Sequence, residues 1–162
     1  MQPASRVKIV GKVKGKMRPR FSRANGRMYT PRTQQEYEEL ITAEYRRQGG
    51  RKYSGAVRVL IVIFRQLPKS TPKKIESDAD LMKPDVDNVA KSVLDALNGV
   101  AYDDDAQVVA LDVLKAPRAR NPEGDDVMYV EVGQAPEATE KLLQAVQNSV
   151  NRCEKSRAIS RS

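Results

Sequence analysis

The sequence predicts a single α/β (α+β) domain: a mixed sheet of about four strands with flanking helices, in the order βαβαββα. Three observations lead there. Short β-branched runs alternate with stretches of helical period. The 162 residues suffice to bury one core, with 40% hydrophobic and 31% charged side chains. No internal repeat or shift of composition marks a second domain.

Each element has a local signature. Arg6–Val13 alternates as a first strand, with Val7, Ile9 and Val13 among basic neighbours. Residues 14–32 read as a basic loop punctuated by Gly15, Pro19 and Gly26. Thr33 with Glu36 three residues on has the pattern of a capping box, with Pro31 just upstream. Tyr37, Leu40, Ile41 and Tyr45 then share one helical face, and Gly49-Gly50 stops the helix. The dense β-branched run Ala56–Arg65, bounded by Gly55 and Pro68, predicts a strand covered on both sides. A long loop, Pro68–Pro84, follows. It carries Lys69, Lys73 and Lys74, then Glu76, Asp78 and Asp80, and loops of such length are commonly functional. A second helix starts around Asp85–Asp87 and ends at Gly99, with Val89, Val93, Ala96 and Leu97 as its apolar face. Strands at Gln107–Lys115 and Asp126–Val132 are joined by a turn containing Asn121-Pro122-Glu123-Gly124. A final amphipathic helix spans about Pro136–Arg152, with Leu142, Leu143, Val146 and Val150. The domain is expected to occupy 1–153, with 154–162 a frayed polar tail.

Composition narrows the chemistry. No apolar run approaches the ~20 residues that cross a bilayer, and no secretory signal is apparent, so a cytoplasmic protein without a membrane partner is expected. The single cysteine, Cys153, excludes an internal disulfide framework and a thiolate zinc site. There is no histidine, which removes Ser–His and Cys–His nucleophilic arrangements. An enzyme built from these residues would move protons through carboxylates, lysine, tyrosine or metal-bound water. Its carboxylates suit Mg²⁺ or Mn²⁺.

The net charge of +8 is unevenly placed. Residues 1–35 hold ten basic residues and no acid, including Arg18, Arg20, Arg23 and Arg27, while the rest of the chain is close to neutral. Such a block attracts a polyanion through counterion release. A solvated basic tail is the plainer reading. An anionic membrane surface fits less well, because no amphipathic apolar face accompanies the charge.

Carboxylates concentrate in two segments, Lys83-Pro-Asp-Val-Asp-Asn88 and Tyr102-Asp-Asp-Asp-Ala-Gln107. Phosphodiester hydrolysis needs an activated water, neutralised phosphate charge and help for the leaving oxygen. A divalent ion held by two or three carboxylates supplies all three. Asp85 and Asp87 stand two apart at a helix start, where extended backbone would turn both to one side. Aspartates are equally at home as N-caps and in hydrated loops, and Lys91 as an i,i+4 partner of Asp87 or Asp95. The segment 100–105, if extended, is long enough for Asp105 to return to Asp87 within one chain, with meeting across a dimer as the alternative.

The stretch 83–100, Lys-Pro-Asp-Val-Asp-Asn-Val-Ala-Lys-Ser-Val-Leu-Asp-Ala-Leu-Asn-Gly-Val, together with Tyr102-Asp-Asp-Asp-Ala-Gln-Val-Val, closely resembles the signature of RusA-type Holliday junction resolvases. The match extends to Lys115, and Leu67-Pro-Lys-Ser-Thr-Pro-Lys-Lys resembles the basic loop preceding that motif in relatives, with Thr71 where many have an aromatic. The resemblance implies a Mg²⁺-dependent homodimeric nuclease that resolves four-way DNA junctions by paired symmetric nicks, in recombination and repair. It places the essential aspartates at Asp85, Asp87 and Asp105 and the essential lysine at Lys91, with Asp104 a further family acid. The expected DNA contacts are Lys69, Lys73, Lys74, Arg18, Arg20, Arg23 and Arg27. The competing readings are a broader flap or fork nuclease and a non-catalytic basic DNA-binding module.

Overall fold

A computed structural model describes residues 2–136, with Gln144 and Asn148 beyond them. Its centre is a four-stranded mixed sheet in the order β1-β8-β4-β6. β1 (Ser5–Val10) and β4 (Val57–Phe64) both run antiparallel to β8 (Val127–Gln134), while β6 (Val108–Lys115) pairs parallel with β4. Two short ribbons stand apart from it: β2 (Arg20–Phe21) with β3 (Met28–Tyr29), and β5 (Ser77–Asp78) with β7 (Arg118–Ala119). The predicted mixed sheet is present. The ribbons lie where the sequence reads only as loop, because strands of two residues are too short to display a period. Most of the expected last helix and the tail after it fall outside the described residues.

Two helices cover one face of the sheet. Tyr37, Ile41 and Tyr45 of α1 (Arg32–Arg47) and Val89, Val93 and Leu97 of α2 (Val86–Leu97) join Val57, Val59, Ile61 and Ile63 of β4 in one buried cluster. Burial of this apolar area is the main driving force for the fold. In β4 the inward residues are fully buried, whereas Leu60, Val62 and Phe64 are half-buried and Arg58 is exposed. The expectation of a strand covered on both sides is therefore not met among the described residues: the β-branched run supplies propensity on both faces, but helices pack on one.

Other details differ from expectation. β1 ends at Val10 because Gly11 takes φ +134°, outside the strand conformation, although Val13 beyond it is still buried. α1 begins with Pro31 as N-cap and no side-chain cap; Thr33 lies inside its first turn and donates to the Met17 sulfur, while Glu36 pairs with Arg32. Leu40 is 39% exposed, and Gln34 takes a buried place on that helix instead, where it donates to Glu38 and to Ser92 of α2. The two positions separate in a stability measurement. Leu97→Ala should destabilise the protein by about 2–5 kcal/mol in urea unfolding, the range for emptying a buried leucine site, and Leu40→Ala by less than about 1 kcal/mol. Equal effects would show that the core is assigned to the wrong faces.

Candidate functional site

Asp85 is the N-cap residue of α2, yet its carboxylate makes no capping hydrogen bond. Asp87, in the first turn, is exposed and accepts a hydrogen bond from Lys91 Nζ at 3.2 Å. That bond holds the Asp87 carboxyl below the usual carboxylate range, so it is ionised at neutral pH. Asp95, the other expected partner of Lys91, pairs instead with Lys16 at 2.6 Å. The start of α2 thus presents two exposed carboxylates and one exposed ammonium.

The second acidic segment stands elsewhere. After α2 the chain turns at once, with Val100 and Ala101 donating to the Leu97 carbonyl and the Tyr102 hydroxyl to that of Leu94. It then forms the 3₁₀ turn Asp105–Gln107. Asp104 caps this turn: its carboxylate accepts from the Ala106 N–H, and Gln107 Oε1 accepts from the Asp104 N–H. Asp103 pairs with Lys52 at 2.6 Å. Asp105 is exposed, and no ion pair engages it among the described residues. Gln107 Nε2 bonds the Gly55 carbonyl just before β4, whereas Arg65, just after β4, donates to the Lys83 carbonyl beside Asp85. The two acidic segments therefore lie at opposite ends of β4, separated by the length of α2, about 18 Å for 12 residues.

The expectation that Asp105 folds back to Asp87 in the same chain is not met. Residues 100–105 turn into β6 rather than running along the helix. No three acidic side chains among the described residues stand close enough to hold one metal ion. The donor chemistry nevertheless fits a hard divalent cation, since Asp85, Asp87 and Asp105 are exposed oxygen ligands. One protomer offers a pair of carboxylates at one end of α2 and a third at the other.

One of the two basic segments is anchored beside the start of α2. The segment after β1 is fastened there: Lys16 N–H donates to the Asn88 carbonyl at 2.8 Å, and Lys16 Nζ bridges Glu38 and Asp95. A Cβ at Gly15 would stand 2.9 Å from the Cβ atoms of both Pro84 and Asn88, so only glycine permits this approach. From this anchor the chain continues into the β2–β3 ribbon, where Arg18, Arg20, Arg23 and Arg27 are exposed with Phe21, Met28 and Tyr29. Lys69, Lys73 and Lys74 are exposed on a loop tied down by Arg120, which donates to the Thr71 and Pro72 carbonyls. None of these seven cations is in an ion pair with a described residue.

Sequence reasoning named Lys115 only as the end of the family match and Asp80 only as a loop acid, and gave neither a part in holding this arrangement. Arg65, Asp80, Lys115 and Asp126 form a largely buried charge cluster beneath residues 82–84. The only sequence hint was an arginine and a lysine each closing an otherwise apolar strand. The Asp87–Lys91 pair gives a direct test. In carbon-detected NMR the Asp87 carboxyl should titrate below the ordinary aspartate range and move upward in Lys91→Met, because the ionised form loses its donor. The interaction weakens as pH falls through the depressed value and is fully present above the ordinary one. An unchanged midpoint would remove the pair.

The sequence matches the family described as endodeoxyribonuclease RusA over residues 11–124, a span that contains both acidic segments and the basic ribbon. It is also similar to a protein of Bacillus subtilis (strain 168) described as uncharacterized protein YqaN, at 33% identity over 120 residues, which cover 66% of this chain and 83% of that one. With 114 of its residues inside the match, the chain belongs to the RusA endodeoxyribonuclease family.

Proposed function

We propose that the protein is a Mg²⁺-dependent homodimeric endonuclease that resolves four-way DNA junctions, nicking two matched strands during recombination and repair. The observation that carries this reading is the placement of Asp85, Asp87 and Lys91 at one exposed helix start, flanked by unpaired cations on two anchored basic segments. Asp85 and Asp87 of one protomer would hold the ion with Asp105 of the partner subunit. The separation of the two acidic segments along α2 favours that division over a site within one chain. A twofold dimer then carries two equivalent centres, matching the near-twofold symmetry of a four-way junction.

When bound, the divalent ion supplies Lewis-acid activation of water and neutralises phosphate charge. The chain's own groups do the rest. Lys91 donates to Asp87 and holds its carboxyl below the usual range. With a phosphate bound, the Lys91 ammonium would turn from Asp87 to meet the charge that develops on a non-bridging oxygen. Arg18, Arg20, Arg23 and Arg27 would follow the backbone of one DNA arm, and Lys69, Lys73 and Lys74 that of another. Mn²⁺ should replace Mg²⁺, since the ligands are all oxygens.

Two measurements test the proposal. Asp85→Asn, Asp87→Asn and Asp105→Asn should each reduce nicking of a synthetic four-way junction by at least about a thousandfold while leaving junction affinity within a few-fold of wild type, because charge stabilisation of the reacting phosphate is removed and the DNA arms are still held. A variant that cuts at the wild-type rate would exclude that residue. A protein that binds junctions but never nicks them with Mg²⁺ present would be a DNA-binding module instead, and equal rates on flaps and forks would indicate the broader nuclease. Separately, replacing Arg20, Arg23 and Arg27 by Gln should flatten the plot of log affinity against log salt by roughly 0.9 for each phosphate no longer neutralised, about 2–3 in slope. An unaltered slope would take the ribbon off the DNA.

A further inference from the structure

Lys115 closes β6 and Arg65 follows β4, and both side chains turn under the segment that leads into Asp85. Lys115 Nζ donates to the Met82 carbonyl at 2.5 Å and the Pro84 carbonyl at 3.3 Å; Arg65 Nη1 donates to the Lys83 carbonyl at 2.8 Å. Three successive carbonyls immediately before the acid pair, none of them in a strand, are therefore held by two cations from the ends of neighbouring strands. The cations are themselves gathered by one carboxylate. Asp80 Oδ1 lies 3.2 Å from Arg65 and 3.5 Å from Lys115, with its side chain fully buried and theirs 12% exposed. Asp126 extends the cluster: its Oδ2 lies 3.8 Å from Arg65 and accepts from the Val13 N–H, and its Oδ1 accepts from the Gln66 N–H.

We infer that Lys115, with Arg65 and Asp80, is a positioning residue of the metal-binding end of α2, fixing the backbone that aims Asp85 and Asp87. Charges so buried are a poor source of stability, since apolar side chains of similar volume generally serve a core as well. What apolar side chains cannot do is donate hydrogen bonds to loop carbonyls. The cluster ties residues 82–84, which belong to no strand, to the ends of two paired strands, and through Asp126 it places the start of the basic segment in the same frame. None of these side chains needs to touch DNA or metal. Their effect acts through the direction of the carboxylates, as supporting groups around ligands generally do.

The inference rests on the junction-nuclease reading only for its activity arm, and the test separates the two. The full-length protein is compared with Lys115→Met, which keeps length and removes charge and donors, and with Lys115→Arg, which keeps both. In metal-free hydrogen exchange, the amides of Val89 and Ala90, of which Val89 donates to the Asp85 carbonyl, should exchange at least tenfold faster in Lys115→Met and near the wild-type rate in Lys115→Arg, with α1 amides unchanged. The Mg²⁺ concentration for half-maximal junction nicking should rise at least fivefold in Lys115→Met, with junction affinity in EDTA unaltered and activity recovered at high Mg²⁺. If Lys115→Met does not fold, Lys115→Gln takes its place in both measurements. Exchange at Val89 and Ala90 equal to wild type, or acceleration spread equally over α1, would overturn the positioning role. Absence of nicking by the wild-type protein would defeat the nuclease reading and leave the exchange result to decide this one.

Discussion

Parallel pairing of β4 with β6 is the constraint on which the site depends. Two parallel neighbours need a connection that returns across the sheet, and here α2 makes that return. The helix must therefore start at the end of the sheet where β4 finishes and end where β6 starts. Its start carries Asp85 and Asp87, and the chain emerging from its end carries Asp105. The separation of the acidic segments is a consequence of topology, not of loop conformation. If Asp85, Asp87 and Asp105 hold one ion as proposed, the third ligand comes from a second protomer, and the same pairing that builds the core is what divides the site.

A second consequence follows from where α2 begins. The ends of β4 and β6 converge there, and each delivers a cation, Arg65 and Lys115, beneath the loop. The basic segment after β1 reaches the same place through Val13 and Asp126, and Gly15 lets it lie against Pro84 and Asn88. Positive charge on the exposed ribbon and negative charge at the helix start are thus mounted on one rigid corner of the sheet. On the proposed reading, electrostatic attraction of a DNA arm by the first would bring a phosphate toward the second.

Much of this was legible in the sequence, and for definite reasons. Val89, Val93, Ala96 and Leu97 repeat with helical period, and all four are buried. The β-branched run at 57–64 and the strands closing at Lys115 and near Val132 formed within a few residues of expectation. The motif spanning 83–107 pointed to the family that the residue match from 11 to 124 then gave. What remained hidden was long-range. Asp80 reads as one more acid in a polar loop, and nothing local says that its side chain is fully buried between two cations 15 and 35 residues away. The length of 100–105 permitted a return to Asp87, because reach alone ignores the strand that the next residues must join. Thr33 and Glu36 matched a capping pattern, but the helix had already begun at Arg32 after Pro31. Periodicity reports which face of an element is buried, and says little about which elements become neighbours.

Subunit mixing addresses the division of the carboxylates between chains most directly. Asp87→Asn and Asp105→Asn proteins would be denatured together, refolded as a mixed population of dimers, and assayed for nicks in a four-way junction with Mg²⁺. Each variant alone is expected to be inactive. If the ligands are shared across the twofold axis, every mixed dimer retains one intact centre, and activity returns to roughly a quarter of the wild-type nicking rate. If each chain completes its own centre, both centres in the mixed dimer are broken. A mixture as inactive as its components, with mixed dimers shown to have formed, would contradict the shared site.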